Sequence, residues 1–116
     1  MIIWLIVLLN SAMMRYRPFE SYAFVNGDDL NTFVNPGLFS CGSAAVAKTL
    51  VNCPVNSAFR LEVFYNGPGS GSSIYGFQTI HVITGDSFYK RRFRKTADTA
   101  GFLFYDWTIF TANPVA

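Results

Sequence analysis

Six side chains stand out as able to grip a polar ligand: Gln78, Tyr89, Arg91, Arg92, Tyr105 and Trp107. Sugars present apolar C–H faces and many hydroxyls. A saccharide site therefore needs aromatic rings together with Arg, amide or carboxylate groups for the edges. Tyr89, Arg91 and Arg92 fall in one short stretch, and Tyr105, Asp106 and Trp107 in another. Gln78 is placed to face them from a middle strand. The planar guanidinium also suits anionic sugars and phosphates. The competing expectation is that Tyr89 and Trp107 belong to the core, because large aromatics in a small domain are mostly buried. Arg91 would then cover them with its aliphatic stem.

Other chemistries have few parts. Five of the nine Lys and Arg lie in Lys90-Arg91-Arg92-Phe93-Arg94-Lys95. Base interleaved with aromatic occurs in single-strand nucleic-acid binders, but a chain of net charge +2 lacks their broad basic footprint. A charged, solvated strand edge is the plainer reading, and no nucleic-acid partner is expected. His81 is the single histidine. It falls in a predicted strand on the face of Phe77 and Ile83, as a satisfied core histidine would. Asp28 and Asp29 adjoin, so in an extended segment they point to opposite sides. No G-x-S-x-G elbow occurs, and Gly69-Ser70-Gly71-Ser72 precedes neither a Lys nor a helix. No catalytic residue, cofactor or metal site is expected. Cys41 and Cys53 are too few for a zinc pattern with His81 alone. Packed thiols and a short-loop disulfide both remain open.

The elements that must position these groups are strands. Apolar residues make up 51%, aromatics 17% and charged residues 14% of the 116. This excludes a solvating, disordered chain and favours pleated, half-buried strands. Asn26-Gly27 and Asn35-Pro36-Gly37 are turns, and Leu38 to Cys41 reads as a short strand. Ser43 caps a short helix over Ala44 to Leu50, which Cys53-Pro54 keeps from extending. From Ser57 the period becomes two. Phe59, Leu61, Val63 and Tyr65 share one face, with Arg60, Glu62 and Phe64 on the other. Strands follow over 75–83, 88–93 and 102–110, separated by a Gly-rich loop at 66–73, a hairpin at Thr84-Gly85-Asp86-Ser87 and a polar connection at 96–101. The fold class is mostly β with one short helix: a small antiparallel β meander of four strands.

The chain divides into an apolar amino-terminal segment, 1–21, and a β domain, 22–116. The run Ile2 to Leu9 is too short to span a bilayer, and no membrane insertion is expected. It fits the core of a signal peptide, with Ser11 and Ala12 near a cleavage site. It equally fits a buried strand or helix, or the interior of a longer protein.

The order of motifs resembles the pyocin knob domain of tail fibres in bacteriophages and phage-tail-like bacteriocins. Four segments carry the likeness. Asp29-Leu30-Asn31 leads to Pro36-Gly37-Leu38-Phe39. Cys41-Gly42-Ser43-Ala44-Ala45-Val46-Ala47 ends at Leu50-Val51-Asn52-Cys53-Pro54. Phe59 to Val63 is followed by Gln78. Tyr89-Lys90-Arg91-Arg92 is followed after a gap by Asp106-Trp107-Thr108. Phe102 stands where the family usually has Trp. The resemblance implies a small β-rich module, often trimeric, at the receptor-binding end of a fibre carried on a virion. It implies attachment to a bacterial surface polysaccharide without catalysis, and a chain that is one piece of a longer fibre. A spacing or trimerising module without ligand, and a secreted glycan-binding protein with a signal peptide, are the alternatives. Surplus Phe and Tyr beyond one small core point to a subunit interface, and the resemblance makes a homotrimer the expected assembly.

Overall fold

Strict alternation in the longest strands decides which face of the sheet becomes the core. The computed structural model describes residues 22–66 and 73–112. The apolar amino-terminal segment and most of the Gly-rich loop after Asn66 lie outside the described residues. In chain order the elements are β1 (Tyr22–Ala23), a 3-10 turn (Leu30–Thr32), β2 (Gly37–Cys41) and helix α1 (Ala44–Ala47). Then come β3 (Phe59–Tyr65), β4 (Ile74–Val82), β5 (Ser87–Lys95), β6 (Leu103–Phe104) and β7 (Thr108–Thr111).

The seven strands among the described residues form one sheet in the order β1-β2-β3-β4-β5-β6, with β7 also paired to β5. Every pairing is antiparallel except β1 with β2. The mostly-β meander with one short helix is therefore present. It is wider than expected, because β2 pairs with β3 and the two-residue β1 adds a parallel edge.

Phe59, Leu61 and Val63 of β3, Ile80 of β4 and Phe93 of β5 are buried on the inner face. The non-strand segments cover them with Phe24, Leu30, Ala47, Leu50 and Val55. Rings of Phe24, Phe33, Phe39 and Phe59 interlock there at centroid separations of 4.8–6.3 Å, a spacing at which aromatic pairs attract beyond area burial. The helix is held as its sequence predicts: the Ser43 hydroxyl accepts from the Val46 amide. It ends at Ala47, three residues short of Leu50.

Gly76 is the one inner-face position in β4 that no side chain fits. A Cβ there would lie 2.3 Å from Phe93 Cζ and 2.6 Å from the Phe64 carbonyl oxygen. The Phe93 ring occupies the space that the missing side chain leaves.

Three expectations need correction. His81 is exposed, not a core histidine. The inner set of β4 is Gly76, Gln78 and Ile80, so His81 faces out and stacks on Phe88 at 6.3 Å. The expected last strand over 102–110 is two strands, β6 and β7, with Tyr105-Asp106-Trp107 between them. A 3-10 turn at Leu30–Thr32, capped by the Asp29 side chain, stands where no element was expected. Cys41 and Cys53 are free thiols, donating to the carbonyls of Ser43 and Val55.

Candidate functional site

The break between β6 and β7 is a β-bulge, and it organises the site. Phe104 pairs with Phe93, and Thr108 pairs with Lys90. The Tyr105 amide still donates to the Arg92 carbonyl at 3.0 Å. Asp106 and Trp107 are thus both left opposite Arg91. One extra residue on a strand re-aims the side chains after it. In a regular strand, Phe104 and Trp107 would point to opposite faces. With the bulge between them both reach the inner face, and both rings hold the Arg91 guanidinium carbon, at 4.3 and 4.4 Å.

Arg91 is 6% exposed and Gln78 fully buried. Arg91 Nε donates to Gln78 Oε1 at 2.7 Å, and Nη2 to Asn31 Oδ1 at 2.8 Å. Gln78 Nε2 donates to the carbonyls of Leu30 and Phe33 at 2.7 and 2.9 Å. The glutamine thereby ties the sheet to the 3-10 turn, adding a second donor to the Leu30 carbonyl, which also accepts from the Phe33 amide, and supplying one to the Phe33 carbonyl. Trp107 Nε1 donates to the Asn52 carbonyl at 3.1 Å. Asn52 adopts φ 60°, a left-handed conformation that Asn tolerates, and its Nδ2 reaches Asp29 Oδ1 at 2.8 Å. Burial pushes the Arg91 pKa down to about 10, with Asp29 opposing the shift. A cleft of about 440 Å³ opens beside this network, lined by Asn31, Asn52, Cys53, Arg91, Asp106 and Trp107.

The opposite face of the same strands carries a different arrangement. Lys90 and Arg92 alternate with Arg91 and point outward. Lys90 Nζ lies 4.3 Å from the Phe77 ring centroid, and the Arg92 guanidinium 4.4 Å from that of Tyr105. Phe88 and Phe110 stack at 4.8 Å with rings 9° from parallel. Arg94 Nε donates to the Tyr105 hydroxyl at 3.0 Å. That bond, and Arg92 beside it, favour the phenolate and pull the Tyr105 pKa down. An open trough of about 230 Å³ runs here between Phe77, Lys90, Arg92, Tyr105, Thr108 and Phe110. Its rings are partly exposed: Phe77 39%, Tyr105 38%, Phe110 42%. Arg91, Tyr105 and Asp106 line both this trough and the inner cleft.

The six residues singled out in the sequence are therefore divided by the sheet. Arg92 and Tyr105 meet on the outer face. Gln78, Arg91 and Trp107 meet on the inner face, and Tyr89 packs half-buried against the core beside them. The sequence reading missed Phe77, Lys90 and Phe110 in the trough. The signal was present, since Lys90 and Arg92 share a face by strand period. It also missed Asn31 and Asn52, which only the 3-10 turn and the left-handed Asn52 bring near Arg91.

No family model matches the chain. Among curated proteins it is 31% identical over 64 residues to a putative iron-sulfur cluster insertion protein ErpA of Nitrosomonas eutropha, over 55% of this chain and 53% of that one. The chain thus spans about half the length of that relative. Among solved structures it is similar to an N-truncated R2-type pyocin tail fibre, at a TM-score of 0.62 and 24% identity, over 81% of this chain and 34% of that one. It is equally similar to an R2 pyocin fibre structure from P. aeruginosa, of which it spans 23%. The chain has a pyocin tail-fibre-like fold, as the order of its motifs led us to expect.

Proposed function

We propose that the chain is a non-catalytic module of a tail fibre, on a phage or phage-tail-like particle, that attaches to a bacterial surface polysaccharide. The observation that carries this reading is the outer trough. Exposed rings of Phe77, Tyr105 and Phe110 offer stacking surfaces for sugar C–H faces, and Lys90, Arg92 and Thr108 offer donors for hydroxyl or acidic edges. The fold shared with R2 pyocin fibres supports the setting. A homotrimer would multiply a weak single contact by avidity.

The test is a glycan array and whole-cell binding assay with the full chain. Arg92→Ala and Tyr105→Ala should each lower attachment at least tenfold while leaving the fold intact. Unchanged attachment by both variants would remove the trough from the reading.

A spacing or trimerising module without ligand is favoured by one observation. The β7 edge carries no charged residue, and Ile109 and Phe110 are 54% and 42% exposed on it. Edges left flat and apolar invite pairing with another chain. Light scattering that shows a trimer, together with an array showing no bound glycan, would select this second reading.

An iron–sulfur role finds less support. Clusters are held chiefly by sets of Cys thiolates, and the sequence has two cysteines. Among the described residues no three His, Cys, Asp or Glu side chains gather in a way that could hold a metal ion.

A further inference from the structure

The inner cleft shares Arg91, Tyr105 and Asp106 with the trough but has Asn31, Asn52, Phe104 and Trp107 to itself. Arg91 is a nearly buried cation, and a buried charge is costly unless it is paired. Among the described residues no carboxylate stands within ion-pair distance of it. The Asp29 carboxylate attracts it from farther off, while Asp29 Oδ1 accepts from the Asn31 amide and from Asn52 Nδ2. Gln78 and Asn31 satisfy Nε and Nη2 with neutral oxygens. Among the described residues Nη1 makes no hydrogen bond, yet no buried polar side-chain atom lacks a partner. Nη1 therefore keeps contact with solvent. Arg91 lines both pockets, but of the groups that hold its guanidinium Asn31, Phe104 and Trp107 line the inner cleft and none lines the outer trough.

We propose that this cleft is a binding site for one oxyanion group, a carboxylate or phosphate, received by Arg91 Nη1. Arginine is suited to such groups because its donors are fixed in a plane that matches paired oxygens. The Phe104 and Trp107 rings hold the fork in place, so little side-chain entropy is lost when the anion arrives. The lowered Arg91 pKa agrees with a cation that still lacks its counter-charge. Asp106, on the cleft wall, works against the anion and keeps the affinity moderate.

The test uses the full chain and three probes at matched ionic strength: sodium phosphate, sodium glucuronate and sodium chloride. The readouts are the Trp107 indole and Arg91 Nε signals by NMR. Phosphate or glucuronate should shift both signals saturably, at concentrations at least tenfold below any chloride effect. A response to phosphate alone would assign the site to phosphate, and to glucuronate alone to carboxylates. Asn31→Asp places a carboxylate at the Nη2 contact. It should raise thermal stability and weaken phosphate binding at least tenfold. Asp106→Asn should strengthen binding severalfold. Equal responses to all three salts, or an unchanged phosphate response in both variants, would overturn the proposal. Arg92 lines only the outer trough and Asn31 only the inner cleft, so array binding lost in Arg92→Ala and phosphate binding lost in Asn31→Asp report on the two readings separately.

Discussion

Arg91 and Arg92 are neighbours in sequence and opposites in circumstance. Arg91 faces the core side of β5, is nearly buried, and is held by Gln78, Asn31 and two rings. Arg92 faces out, is exposed, and lies over the single ring of Tyr105. The same contrast extends across both faces of β4 and β5. Inside, polar groups close a network that ties the sheet to the 3-10 turn. Outside, cations and rings lie in exposed pairs. A guanidinium over an aromatic ring is thus tied into a buried network on one face and exposed on the other, and the difference is made by hydrogen bonding and burial rather than by residue type.

The sharpest way to break the comparison is to spoil the inner face alone. Gly76→Ala drives a methyl into the Phe93 ring and the Phe64 carbonyl. Neither backbone nor a buried ring can yield cheaply, so the variant should lose about 3–4 kcal/mol, read as the midpoint of urea unfolding. Gln78→Leu comes next. It strips a partner from the carbonyls of Leu30 and Phe33 and from Arg91 Nε. A loss of about 2–3 kcal/mol is expected. Adding Arg91→Met should recover part of it, because replacing both polar partners costs less than orphaning one. If the double variant is the sum of the singles, the network does not act as a unit.

How much of this was readable in the sequence follows from the same contrast. Period two fixed the faces of β3, since Phe59, Leu61 and Val63 are apolar and Arg60 and Glu62 are not. It misled in β4, where the inward set is Gly76, Gln78 and Ile80 and the outward set includes Phe77. There hydrophobicity points the wrong way, because Gln78 is inward to serve a turn distant in the chain and Gly76 to make room for Phe93. The order of strands and the capped helix were legible from local chemistry. The bulge was not. Nothing in Phe104-Tyr105-Asp106-Trp107 marks an extra residue; its reason is Arg91 on the neighbouring strand, which both rings turn to hold. Alternation in β4 and β5 alone sets Gln78, Tyr89 and Arg91 against Arg92; the bulge is what brings Trp107 to the inner face while Tyr105 stays on the outer one.

A change confined to the outer face should leave stability nearly untouched. Arg92→Ala removes an exposed cation–π contact. It should cost no more than about 0.5–1 kcal/mol, while the attachment assay falls sharply. Should it instead unfold the chain as Gln78→Leu does, the outer face is as structural as the inner one and the contrast between the two arginines is lost.

The smallest effect lies at the end of β5, where Arg94 Nη1 reaches Asp98 Oδ1 at 3.2 Å and the Thr96 hydroxyl donates to the same oxygen. The Thr96 bond foremost, with Arg94 adding to it, pulls the Asp98 pKa below the ordinary value of an aspartate. A carboxylate whose folded pKa is lowered adds stability above its unfolded pKa and loses it as pH falls through the folded one. Asp98→Asn should therefore be slightly less stable than the parent at pH 7 and equal to it in strong acid. The carboxylate is exposed, so 1 M salt should remove only the share of the difference that Arg94 contributes and leave that of the Thr96 hydrogen bond. A difference that vanishes entirely in such salt would mean that the Arg94 charge, not the Thr96 bond, carries it. The end of β5 would then be held by an exposed ion pair alone, as weakly as any on the outer face.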